Sequence, residues 1–235
     1  MQPEVLSGGL LRRTLRRRGS LLVIAGLLLA AFGCASGTAS PTPGAPASPT
    51  PALSPSGLAG VNDFLYQLQD LDLDAIGATT YDLVVMDYFS DGRETGGFTR
   101  EQISDLRNSP GGQKILLAYL SIGETEDYRY YWQSDWEEGN PAWLEGENLD
   151  WPGNLKVRYW DPGWQSVVFE YAGRVLAAGF NGAYLDIIDA YEYFADRGRT
   201  TAAQEMSDFV AALAAFFRAG DPDCYIFPQN APELT

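Results

Sequence analysis

From about residue 63 onward the chain alternates short apolar runs with stretches of helical period, and each apolar run breaks off into carboxylates, amides or tyrosines. Phe64–Leu68, Leu83–Asp87, Ile115–Leu120, Ala183–Ile187 and Tyr225–Pro228 read as five strands. Between them, Thr99 with Gln102 opens a helix as a capping box, with Ile103 and Leu106 inward and a stop at Pro110-Gly111. Asp161-Pro162 starts another as N-cap and first residue, burying Val167, Val168, Tyr171 and Val175 and ending at Gly179. Thr201 with Gln204 is expected to cap a third, with Met206, Phe209, Val210, Leu213 and Phe216 at helical spacing. Strand–helix alternation with polar strand ends predicts a parallel α/β fold of the (β/α)8 TIM-barrel type, with about five of its units in this chain. The competing arrangement is an open doubly wound sheet. No glycine-rich phosphate turn follows the first strand, which weakens its nucleotide-binding form. Residues 59–235 are fewer than the ~250 usual for such barrels, so the barrel is expected to continue beyond Thr235.

Within that frame Gly179–Phe194 (GFNGAYLDIIDAYEYF) carries two carboxylates three apart, Asp186 and Asp189, at the end of an apolar strand. A carboxylate there costs several kcal/mol unless paired or hydrogen-bonded, on the order given by burial of charge. In barrels the usual reason for one is chemistry, because the site sits at the carboxyl ends of the strands. The plainer possibility is that Asp186 caps a loop or pairs with an arginine. The chain contains no histidine, which removes Ser-His-Asp and Cys-His systems, His-ligated zinc and imidazole shuttles. Its two lysines are Lys114 and Lys156; Lys114 is expected at the amino end of its strand, away from the site, which argues against Schiff-base chemistry. Carboxylates, tyrosines and amides are left.

The amino terminus is read separately. Five arginines between Arg12 and Arg18 precede Leu21–Gly33, an apolar run of thirteen residues, too short to span a membrane and suited to a signal-peptide core. Ala31-Phe32-Gly33-Cys34 resembles a bacterial lipoprotein cleavage site, with alanine where leucine is usual, so residues 1–34 are assigned as a signal peptide with Cys34 as the lipidation site. Ordinary secretion or an uncleaved anchor are the alternatives. Residues 35–58, rich in Pro, Ser, Ala and Thr, read as a tether, and globular structure is expected from Ala59. Cys34 and Cys224 are therefore not expected to pair. The protein is expected outside the cytoplasm, held at the membrane only through this anchor. Without residues 1–33, 11 basic and 30 acidic residues remain, a net charge of −19. Nucleic acid is a poor partner for that surface and a cationic substrate a good one, although plain solubility accounts for the charge equally well.

Between Glu124 and Trp160 a long excursion holds Tyr128, Tyr130, Tyr131, Trp132, Trp136, Trp143, Trp151 and Tyr159. Loops after barrel strands lie over the site, and flat aromatic faces suit sugar rings. More than half of these aromatics are expected to pack the excursion's own core, with Trp160 and Tyr88 as the sugar-facing pair. Four motifs in order, YLSIGETEDYRYYW (Tyr119–Trp132), VRYWDPGW (Val157–Trp164), GFNGAYLDIIDAYEYF and FPQN (Phe227–Asn230), resemble the endo-α-1,4-polygalactosaminidase-like glycoside hydrolases, glycoside hydrolase family 114. The resemblance covers nearly everything from residue 63 on. It implies a TIM barrel, secretion, and cleavage of a galactosamine-rich, cationic exopolysaccharide; no cofactor and no metal are expected. It places the catalytic aspartate at Asp186, with Asp87, Glu124, Asp189, Gln229 and Asn230 around the same mouth as substrate-binding residues. The family's second carboxylate, after a sixth strand, is expected beyond Thr235. The alternatives are a non-catalytic surface carbohydrate-binding protein, and a metal-dependent enzyme using Asp186, Asp189 and Asp87 as oxygen ligands.

Overall fold

A computed structural model describes residues 55–93 and 96–234, which fall within the unit Pro49–Thr235. The expected signal segment, Cys34 and most of the expected tether lie outside the described residues. A 3-10 turn over Pro55–Gly60 comes first, a few residues ahead of the expected start. In chain order the elements are then β1 (Phe64–Gln67), α1 (Leu73–Ala78), β2 (Leu83–Met86), α2 (Arg100–Arg107), β3 (Ile115–Ser121), β4 (Glu124–Glu126), β5 (Leu144–Glu147), β6 (Asn154–Val157), α3 (Pro162–Ala178), β7 (Gly182–Asp186), α4 (Ala190–Ala195), α5 (Ala202–Gly220) and β8 (Tyr225–Pro228).

The five expected strands form one parallel sheet in the order β1-β2-β3-β7-β8. The excursion adds what the aromatic spacing did not reveal, a three-stranded antiparallel sheet ordered β4-β6-β5. Side chains alternate across a strand, and the two faces separate accordingly. Leu83, Val85, Ile115, Leu117 and Tyr225 gather on one face with Tyr184 and Phe227. Val84, Met86, Leu116, Ala118, Leu120, Ala183 and Leu185 turn to the other, into the main core with the buried sides of α2, α3 and α5. β3 is buried along its whole length, as expected for a strand covered on both faces.

The helix signals fared unequally. Around α2 the capping box is closed, the Gln102 N–H donating to Thr99 Oγ1 at 3.2 Å and the Thr99 N–H to Gln102 Oε1 at 2.8 Å. Asp161 caps α3 by accepting from the Gly163 N–H at 2.7 Å, and Gly179 ends it at φ 90°. Thr201 does not cap α5. Its backbone is already helical at φ −95° and ψ −3°, where an N-cap needs extended geometry, and Gln204 donates to Asp208 Oδ1 instead. Steps of three, four and four from Met206 carry the buried stripe through Phe209 and Leu213 to Phe217, so Phe216 sits at the rim, its ring 5.3 Å from that of Phe169. Among the described residues no helix is long and apolar enough to cross a membrane.

Candidate active site

The carboxyl ends of all five parallel strands open into one cavity of about 1100 Å³, walled on one side by the excursion sheet. Gln69 and Asp70 arrive from β1, Asp87 from β2, Glu124 and Glu126 from β3 and β4, Asp186 and Asp189 from β7, Gln229 and Asn230 from β8. A second depression of about 920 Å³ lies between α1 and α2, on the helix layer and away from the strand ends.

Asp186 is half-buried on the cavity floor, and both of its oxygens are engaged. Oδ2 accepts the Tyr119 hydroxyl at 2.7 Å; Oδ1 accepts the Ile187 N–H at 2.8 Å and Asn230 Nδ2 at 3.3 Å. Burial, with the charges of Glu126 and Asp186, pushes the Tyr119 phenol well up, so it remains a donor. The turn just after Asp186 is strained. Ile187, a β-branched residue, stands at φ 58°, a region such residues rarely occupy and one concentrated at functional sites. Gly123 makes room for it, since a Cβ there would stand 2.1 Å from the Ile187 carbonyl oxygen. This is the physical reason for glycine in the SIGET run.

Around Asp186 negative charge is dense. Asp189 is half-buried beside it, and burial, then the Asp186 charge, raises its carboxyl above the ordinary range. Glu124, only 2% exposed, accepts Lys156 Nζ at 2.9 Å and Asn148 Nδ2 at 2.9 Å. Lys156 also lies 5.0 Å from the centroid of the Tyr193 ring. Among the described residues, the Gln229 Oε1 is buried without a donor.

Asp87 reaches the same mouth from below but is committed elsewhere. Arg129 Nη1 meets its two oxygens at 2.8 and 2.6 Å, the Phe89 N–H donates at 2.9 Å and the Tyr171 hydroxyl at 3.2 Å. Arg129 Nε then binds Glu126 Oε2 at 2.6 Å. Burial works against the guanidinium charge, yet Tyr171, Glu126 and Asp87 hold it firmly protonated. This buried triad ties the end of β2 to the excursion sheet. Lys114, the other lysine, donates to the carbonyls of Thr79 and Tyr81 at 2.6 and 3.2 Å at the opposite end of β3, as expected.

A model of glycoside-hydrolase family GH114 matches residues 42–235. The chain belongs to that family. Relatives of this GH114 chain include an uncharacterized protein of Thermotoga maritima, 40% identical over 74% of this chain and 54% of its own length, and one of Deinococcus radiodurans, 42% identical over 82% and 59%. The chain thus spans about half the length of the curated relatives it matches. The glycoside hydrolase domain of PelA from Pseudomonas aeruginosa superimposes with a TM-score of 0.55 over 74% of this chain and 62% of that one, at 18% identity, which supports the fold.

Placed in the GH114 cavity, the sequence candidates divide. Asp186, Asp189, Glu124, Gln229 and Asn230 line it. Asp87 lines it too, but its oxygens face Arg129, which fits neither a metal ligand nor a contact to substrate. Tyr88 and Trp160 are not brought to the cavity. With Asp87 inward, the next residue turns outward, and Tyr88 packs edge-on against Phe89 at 4.5 Å and Phe180 at 6.1 Å. Trp160 is packed by Tyr159 and Phe194, with the Arg199 guanidinium 3.5 Å from its ring centroid. The aromatics that do reach the cavity are Tyr66, Phe89, Tyr119, Tyr128, Trp151 and Tyr193. The excursion's aromatics join the main core rather than one of their own: Trp143 and Tyr159 are buried in it with Tyr130, Tyr131, Trp132 and Trp136 packed against it, Trp143 meeting Trp164 of α3 and the Tyr159 hydroxyl donating to the Ala202 carbonyl. Lys156 and Arg129 carried no signal of function, because Glu124 lies 32 residues from the one and Asp87 42 residues from the other.

Proposed function

We propose that this domain belongs to a glycoside hydrolase that cleaves a galactosamine-containing polysaccharide, with Asp186 as one of its two reacting carboxyl groups. One observation carries the reading. In a chain of a glycoside-hydrolase family, Asp186 stands at the carboxyl end of a parallel strand, on the floor of a cavity, with three donors fixing its carboxylate. Donors on both oxygens fix the orientation of this carboxyl group toward the cavity, which is what a nucleophile, or the base that activates water, requires. The second carboxyl group of such a pair donates a proton to the leaving oxygen. Glu124 is a poor choice for that role, since Lys156 Nζ and Asn148 Nδ2 already occupy its buried oxygens.

The substrate reading rests on charge. Asp186, Asp189, Glu124 and Glu126 surround the cavity, and against them stand Lys156 and the committed Arg129. An amino sugar with a free ammonium suits that surplus, and the resemblance to polygalactosaminidases points the same way. We further propose that the protein works outside the cytoplasm, tethered through Cys34.

The test is turnover of α-1,4-linked galactosamine polymers differing in acetylation. Partly deacetylated polymer should be cleaved faster than fully acetylated polymer, and the preference should fall with added salt, because exposed charges are screened over ~8–10 Å at physiological ionic strength. Equal turnover of the neutral, fully acetylated polymer removes the charge argument.

A further inference from the structure

Tyr128 is a large aromatic left 49% exposed in the cavity, although three contacts fix it in place. Its hydroxyl donates to Glu126 Oε1 at 2.5 Å. The Arg129 guanidinium lies 5.0 Å from the ring centroid, held by the buried carboxylates of Asp87 and Glu126. The ring edge rests on Gly92, where a Cβ would stand 2.5 Å from Cδ2 and 2.8 Å from Cε2. Gly92 is itself at φ 76° and accepts the Tyr130 N–H at 2.9 Å, which fastens the loop after β2 to the strand end that carries Tyr128.

This arrangement is costly unless something covers the ring. Apolar surface left in water forgoes about 25 cal/mol per Å² of burial, and an immobilised side chain has already lost its rotamer freedom. An aromatic ring held rigid, with a cation against one face, presents a flat apolar surface on the other. A pyranose ring, with several C–H bonds on one face, is complementary to such a surface, and the surrounding carboxylates supply partners for its polar edge. Pre-paid ordering of the protein side also lowers the cost of binding.

We propose that Tyr128 is a fixed aromatic platform on which one hexosamine ring of the polysaccharide stacks, and that Gly92 sets the platform's position. The proposal rests on the carbohydrate reading of the cavity and deepens it: it assigns a binding residue that neither strand-end position nor charge identified. Tyr128 takes no part in bond breaking. Its contribution appears in binding and leaves the reacting groups untouched.

The experiment is calorimetric titration of the chain with partly N-deacetylated α-1,4-galactosamine oligosaccharides of defined length. Wild type is compared with Tyr128→Phe, Tyr128→Leu and Gly92→Ala, each with a thermal melt. Tyr128→Leu keeps an apolar cover over Arg129 but removes the flat face, so Kd should rise about tenfold with the melting temperature little changed, taking the energy of an aromatic stacking contact as the measure. Tyr128→Phe should stay within about threefold of wild type, since the ring remains and one anchor is lost. Gly92→Ala should weaken binding by displacing the ring. Undiminished affinity in Tyr128→Leu, an equal loss in Tyr128→Phe and Tyr128→Leu, or no saturable binding by wild type overturns the platform. Hydrolysis measured in parallel on the complete protein keeps the readings apart. Binding that depends on Tyr128 without any cleavage leaves the platform standing and removes the hydrolase assignment.

Discussion

Replacing Arg129 by methionine removes one cation from between two buried carboxylates while roughly conserving side-chain length. The three side chains are 1%, 7% and 8% exposed for Arg129, Asp87 and Glu126, so water cannot take over the lost contacts. Four hydrogen bonds disappear, two to Asp87, one to Glu126 and one to the Tyr171 hydroxyl. Breaking a buried ion pair by deleting one partner costs about 3–5 kcal/mol, because the other charge remains buried and uncompensated. For a domain of this size each kcal/mol moves Tm by roughly 2–4 °C, so a fall of about 6–20 °C is expected near neutral pH. The cost must also depend on pH. Burial already raises the Asp87 carboxyl and Arg129 opposes that rise, so without the guanidinium it rises further and the native state of the variant binds more protons. The variant's deficit is therefore largest at neutral and higher pH, and shrinks as pH falls toward the ordinary carboxylate range and Asp87 takes up a proton. Urea denaturation at pH 7.5 and pH 5, followed by tryptophan fluorescence, measures both effects. Adding Asp87→Asn and Glu126→Gln should return part of the loss at pH 7.5, since the uncompensated charges are then gone. A deficit below about 1 kcal/mol that does not change with pH would refute the reasoning, because it would mean that water or rearranged neighbours solvate the carboxylates.

Asp189→Asn tests the electrostatics beside Asp186. Burial and the Asp186 charge raise the Asp189 carboxyl, so its ionisation costs native stability as pH rises through that raised value. The asparagine variant should melt higher than wild type at neutral pH, with the difference closing below the ordinary aspartate range; equal melting temperatures throughout contradict this. Cys34→Ser tests the proposed anchor. It should release the protein from the membrane fraction or leave it unprocessed, and mature membrane-bound protein in spite of the change would rule out lipidation there.

Much of the fold was legible because β2, β3 and β7 are apolar runs covered on both faces, and a buried parallel strand has few other readings. Tyr225–Pro228 matched to the residue, and the Thr99 capping box and the Asp161-Pro162 helix start matched because each signal is local. Thr201 failed where a local signal met a tertiary demand: the chain enters α5 already in helical geometry, and the cap is lost. The excursion's strands were hidden because LEGE and NLKV show weak apolar alternation, and β6 gains its order by pairing with both β4 and β5. In the site, strand-end position identified Asp186, Asp189, Glu124, Gln229 and Asn230 as lining residues. It misplaced Tyr88, since adjacent residues at a strand end face opposite ways. What no spacing could reveal was the pairing of residues far apart in the chain, such as Arg129 with Asp87 or Tyr119 with Asp186, 67 residues away.

The central claim is that Asp186 reacts rather than merely holds the strand end together, and Asp186→Asn in the complete protein tests it most directly. The amide keeps the volume of the side chain and, with its oxygen kept for the Ile187 N–H, turns its NH2 toward the Tyr119 hydroxyl, which can accept as well as donate; it removes the charge. The measurement is kcat on partly deacetylated galactosamine polymer, set beside oligosaccharide Kd and the thermal melt of the same preparation. A fall in kcat of about 10³-fold or more, with Kd and Tm close to wild type, is the predicted result. Turnover per folded molecule within tenfold of wild type, together with a clear drop in Tm, would contradict the account and leave Asp186 a structural partner of Tyr119 and Asn230.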